Sequence, residues 1–152
     1  MKAIIPPPVV FLICAGLMWL IHTLVPSLAY DFVYRRLLFW IVLAAGISLL
    51  IAGAINFFKR KTTIHPDRKS LSKVSTLITT GAFRYSRNPL YLGLALMLVA
   101  WWIFLGNVLA VIGVIVFVVF ITEYQIKPEE EALERIFGEE YLRYKRSVRR
   151  WI

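Results

Sequence analysis

The chain has 152 residues, 59% of them hydrophobic and 18% charged, with a formal net charge of +9 and a mean hydropathy of +0.70. A water-soluble domain is nearer half apolar and about one quarter charged, so this composition excludes an ordinary soluble globule. One cysteine, Cys14, excludes a disulfide framework and a Cys/His metal cluster, and no Gly-rich phosphate loop, Ser/His/Asp pattern or nucleic-acid motif is present.

The charges are unevenly placed. No Asp, Glu, Lys or Arg occurs at 3–30, 37–58 or 88–122. A helix needs roughly 20 apolar residues to cross a bilayer. The first two gaps predict single spans at about 8–28 and 37–58. The first begins with one Lys and a Pro6-Pro7-Pro8 run and shows no small-residue cleavage site, so it reads as a retained helix. His22 and Pro26 mark its outer end. The third gap carries Gly106-Asn107, a turn signal, near its middle. The gap reads either as one long, tilted helix or as a hairpin of helices at about 89–105 and 108–126; the turn signal, with Trp101 and Trp102 near it, favours the hairpin.

Positive charge sets the expected orientation. The connector, 59–88, holds eight Lys or Arg and one acid, Asp67, and the tail from Lys127 holds seven more bases. The positive-inside rule places both in the cytoplasm, with both chain termini. The basic loop at 31–36, with Arg35 and Arg36, is the exception left outside. A net charge of +9 then reflects orientation and attraction to anionic headgroups, not a nucleic-acid partner.

Asn88-Pro89 suits a helix start, Asn as N-cap and Pro at the first position. The tail predicts an amphipathic helix over 128–148. Leu133, Phe137, Tyr141, Tyr144 and Val148 recur on one stripe, and Gly138 allows a bend or break. Glu129 and Glu130 border that stripe, whereas Glu131 points elsewhere. A carboxylate at a buried edge needs a donor, so the first two are the better site candidates. The expected fold is all-α: an integral membrane bundle of about four transmembrane helices, one domain over 1–152, with a cytosolic connector and a C-terminal amphipathic helix.

Two separated motifs carry a resemblance. Arg84-Tyr85-Ser86-Arg87-Asn88-Pro89-Leu90-Tyr91-Leu92-Gly93 resembles the R-H/N-P-x-Y-x-G signature of the isoprenylcysteine carboxyl methyltransferase and phospholipid methyltransferase families, and Leu77 to Phe83 resembles its lead-in. Glu129-Glu130, Leu133, Phe137-Gly138, Tyr141, Tyr144 and Val148 are similar to the second signature. Thr62-Thr63-Ile64-His65-Pro66 resembles a stretch of the short bacterial members. Asn88 stands where many members have His, which argues against a proton shuttle there. Ser147 stands where many have Arg.

The resemblance implies S-adenosylmethionine as methyl donor. The residues implied to hold it are Arg84, Tyr85, Arg87, Asn88, Pro89, Tyr91, Leu92, Gly93, Glu129 and Glu130. His65, Tyr141, Tyr144 and Arg146 are the candidates for contact with a lipophilic or small-molecule acceptor, and no catalytic base is assigned. The resemblance further implies the inner or plasma membrane of a prokaryote. Two other readings are a nicotinamide enzyme related to the membrane sterol reductases and a non-catalytic lipid-binding or scaffold module. Cysteines placed singly at Ser75 and Ser147 in a Cys14→Ser background should both label from the cytoplasmic side. Labelling from opposite sides would contradict the even number of spans between them.

Overall fold

The computed structural model describes residues 5–59 and 77–152. His65 and the Thr62–Pro66 stretch lie outside them. Among the described residues six α-helices follow in order: α1 (Pro7–Leu24), α2 (Arg35–Lys59), α3 (Pro89–Leu105), α4 (Val111–Ile121), α5 (Lys127–Phe137) and α6 (Glu139–Ser147). The fold is all-helical among the described residues, and three or four of the helices are long and apolar enough to span a membrane.

Helix α1 stops at Leu24, short of the expected 28, because Pro26 brings no N–H to the ladder; Pro26–Leu28 becomes a 3₁₀ turn. Helix α2 starts two residues earlier than expected, at Arg35. The chain does turn at Gly106-Asn107. Gly106 closes α3 in the left-handed region at φ 61°, where a side chain would be strained and would strike Arg35 and the Tyr30 carbonyl. Asn107 is fully buried and satisfied on both sides: its Oδ1 accepts from Leu109 N and its Nδ2 donates to Val25 O at 2.7 Å. The hairpin turn is thereby tied to the end of α1. Trp102 Nε1 donates to Asn107 O, and Trp101 Nε1 to Ala15 O on α1.

The core lies between α1, α3 and α4. Val10, Cys14 and Met18 meet Leu98, Leu105, Phe117, Ile121 and Ile126. Transmembrane helices gain little from excluding water, so close backbone approach carries more of the packing. Two glycine contacts supply it. Gly113 of α4 receives Met18 and the Cys14 carbonyl, and Gly93 of α3 meets the backbone of Gly46 and Leu50 on α2. The outer face of α2, including Leu37, Trp40, Ile41, Ile47 and Ile51, is exposed, as a lipid-facing surface would be.

From Val108 to Phe137 the chain is one helical run of 30 residues. At about 1.5 Å per residue this is longer than a hydrocarbon core of about 30 Å. Its first charged residue is Glu123, ion-paired to Lys127 at 2.6 Å, so the spanning part ends near Thr122 and the rest lies beyond. There the helix widens into a π turn over Thr122–Ile126. Two local causes coincide. Thr122 Oγ1 donates back to Val118 O at 2.6 Å, and Pro128 lacks an N–H and crowds the carbonyl of Tyr124. The tail is not the single helix expected over 128–148. It breaks at Gly138, whose φ of 51° and ψ of −123° lie outside the helical region. The apolar stripe survives the break: Leu133, Phe137, Tyr141, Tyr144 and Val148 pack together with Leu77.

An added methyl at Gly93 would lie 2.9 Å from two backbone atoms of α2, whereas one at Gly16 meets nothing within 4 Å among the described residues. Gly93→Ala should therefore lower stability by about 1–3 kcal/mol. Gly16→Ala should leave it unchanged or slightly higher. Thermal unfolding of both variants in detergent checks the pair.

Candidate functional site

The two sequence motifs meet at the end of the bundle remote from the Gly106 turn. The first enters through a 3₁₀ turn, Gly81–Arg84, opened by Gly81 at φ 65°. Tyr144 OH donates to Phe83 O at 2.6 Å and holds this turn against α6. Ser86 is buried, and its Oγ accepts from Asn88 N. Pro89 then begins α3, with Asn88 at the N-cap position. The Asn88 side chain makes no cap bond; its Nδ2 donates to Arg150 O at 3.0 Å.

Arg87 is the centre of the site. Its side chain is 7% exposed, and its Nη2 donates to Glu130 Oε1 at 2.8 Å. Its Nη1 donates to Lys145 O, and its backbone N–H to Arg149 O at 3.1 Å. Glu130, also 7% exposed in its side chain, is gripped from a second direction. Arg150 Nε reaches Oε1 at 3.0 Å, and its Nη2 reaches Oε2 at 2.7 Å. One carboxylate thus serves two guanidiniums, and burial of these charges is tolerable because each is paired. Arg87 Nε is buried with no partner among the described residues. Beside this cluster, Tyr91 OH donates to Glu129 Oε1 at 2.7 Å.

Burial pushes the Glu129 carboxyl up to about 7; the Tyr91 hydrogen bond opposes the shift and the negative charge of Glu130 adds to it. Tyr141 is pushed up to about 12, first by burial and then by Glu130, with Arg87 and Arg150 opposing. The hydrogen bond from Arg150 to Glu130 keeps that guanidinium more firmly protonated.

The structure brings together Arg87, Asn88, Tyr91, Glu129 and Glu130. It does not gather the whole predicted set. Arg84 is exposed, and Tyr85 is 76% exposed. Gly93 faces α2, and Pro89 is buried as the first residue of α3. Leu92 enters this region through its backbone N–H, which bonds to Asn88 O. Tyr141 and Tyr144 are buried in the tail core. Arg146 lies at the surface, 3.9 Å from Glu139. Glu131, set aside from the pattern, is exposed beside Arg135. Sequence reasoning missed Arg150 and Ser86. Arg150 follows the last helix in a run of bases, where nothing in the spacing distinguishes it from its neighbours. A surface cleft of about 520 Å³, lined by Asp31, Phe32, Val33, Arg35 and Arg36, lies at the other end of the bundle and touches neither motif.

These features define a class: a helical membrane protein whose two polar motifs close into one buried ionic cluster at a membrane boundary. A family profile described as phospholipid methyltransferase matches residues 36–140. The chain belongs to that family and is a membrane methyltransferase by membership. It is also similar to an uncharacterised protein of Haemophilus influenzae (strain Rd), 54% identical over 63 residues, 41% of this chain and all of the relative. No solved structure matches.

Glu129 yields a pH signature. Its folded value of about 7 lies above the ordinary 4.5, so the folded state favours the protonated acid. That contribution is fully present below about pH 4.5 and is lost as pH rises through about 7. Melting temperatures in detergent from pH 4.5 to 8 should fall with pH more steeply for the wild type than for Glu129→Gln. Parallel curves would contradict the assignment.

Proposed function

We propose that this protein transfers a methyl group from S-adenosylmethionine to a lipid-like or small lipophilic acceptor at the cytosolic face of a prokaryotic membrane. The acceptor is a carboxylate, an amine or a thiol. The observation that carries this reading is the junction of Arg87, Asn88 and Tyr91 with Glu129 and Glu130.

The residues present fit the donor. Arg87 Nε is a buried N–H without an acceptor among the described residues, an arrangement that costs about 1–3 kcal/mol unless an oxygen reaches it. The donor carboxylate is such an oxygen source, and arginine is well matched to a planar anion. Glu129 is suited to receive the ribose hydroxyls or the ammonium, and Tyr91 orients that carboxylate. When bound, S-adenosylmethionine supplies an electrophilic methyl on a sulfonium. The chain's own contribution is to hold and align. Methyl transfer needs the acceptor in line, so positioning supplies much of the rate. A carboxylate or thiolate acceptor needs no base once ionised, consistent with a cluster whose members are already committed to each other.

Calorimetry in detergent should detect S-adenosylmethionine binding; no heat at millimolar donor would overturn the reading. A donor that needs Glu129 ionised binds about tenfold more tightly at pH 8 than at pH 6, given the value near 7. In Glu129→Gln that slope should vanish and methyl transfer should fall ten- to a hundredfold, the worth of roughly 1.5–3 kcal/mol for a hydrogen bond to a charged group.

A further inference from the structure

Beyond α6 the chain is not helical. Val148 is extended (φ −128°, ψ 132°), and the last residues run back across the start of α3. Consecutive carbonyls of this strap are spent on the first motif. Arg149 O accepts from Arg87 N, and Arg150 O accepts from Asn88 Nδ2 and, at 3.4 Å, from Ser86 Oγ. Its far end is pinned by Trp151 Nε1, which donates to Thr122 Oγ1 at the π turn. The strap therefore touches both motifs and the turn between α4 and α5.

Arg150 has a more specific consequence. A carboxylate left alone with an arginine commonly engages two of its N–H groups in a parallel fork. Glu130 does not make this fork with Arg87; it takes Nη2 only. It makes the fork with Arg150, through Nε and Nη2. Arg150 thus fixes the plane of the Glu130 carboxylate, and Arg87 Nε stays buried, and unpartnered among the described residues, in a side chain that is 7% exposed. Without Arg150, Glu130 is free to turn and capture that N–H.

We propose that Arg150 is a positioning residue: by occupying Glu130 it keeps the Nε–H of Arg87 available to an anionic oxygen of the methyl donor. This rests on the donor reading above and adds the tail to it. Lysine cannot replace the arginine, because a single ammonium lacks the planar fork. The Arg150 side chain is 33% exposed, open enough for a small guanidinium to enter its place.

The test uses the full chain in detergent with S-adenosylmethionine as probe. Arg150→Ala and Arg150→Lys should each raise the donor dissociation constant and the donor KM about tenfold, with a smaller change in kcat. Added methylguanidinium should restore donor affinity to Arg150→Ala but leave Arg150→Lys unimproved. Arg143→Ala, which removes an exposed tail base, is the charge control and should bind donor as the wild type does. Lowered melting temperatures with unchanged donor affinity in both Arg150 variants would reduce the residue to a structural tie and overturn the proposal. Should Arg150→Ala fail to fold, Arg150→Lys decides, wild-type affinity again overturning it. Absence of donor binding by the wild type would instead strike the donor reading itself.

Discussion

Everything at the end of the molecule where the two motifs meet depends on the buried pair of Arg87 and Glu130. Each side chain is almost wholly removed from solvent, so neither charge is tolerable unpaired. Removing Glu130 would leave Arg87 buried and uncompensated, a loss that commonly costs about 3–5 kcal/mol, whereas Glu130 without Arg87 would keep its fork with Arg150. The two residues lie 43 positions apart in sequence. Their contact fixes the entry of α3 against α5 and so determines where Tyr91 finds Glu129. The tail adds a second cation to the same carboxylate, and the cluster becomes one unit.

The apolar part of the bundle supplies the rigidity this unit requires. Close approach at Gly93 and Gly113 fixes α3 and α4 against α2 and α1. Asn107 locks the distant turn to the end of α1. The ionic cluster thereby sits on helices held along their length, and fixed geometry matters more for group transfer than any one strong contact.

Much of this was legible in the chain. Charge-free gaps revealed the spans because lipid tolerates no unpaired charge cheaply, and Gly106-Asn107 revealed the hairpin because few other dipeptides turn so tightly. The step from Glu129 and Glu130 to a buried edge followed from helical geometry, and both acids do find donors there. What the pattern hid were partners brought in by non-helical backbone. Arg150 reaches Glu130 only because the chain abandons the helix at Val148. The Asn88 side chain leaves its cap for a carbonyl 62 residues away. Periodicity describes a continued helix, and these contacts begin where the helix ends. Arg84 and Tyr85 shared a motif with Arg87 but fall on the outer side of a short turn, a distinction that spacing alone does not carry.

The wide turn at Thr122–Ile126 acts as a phase shifter between the membrane and the cluster. A π turn accommodates one residue more than the α-helix would. Each residue advances the helix by roughly 100°, so everything after Ile126 is rotated by about that angle relative to a straight continuation of α4. The apolar register that seats Phe117 and Ile121 in the core would otherwise carry Glu129 and Glu130 to another azimuth. One surplus residue lets a single helical run obey two different neighbours, lipid-packed helices on one side of the boundary and Arg87 with Tyr91 on the other.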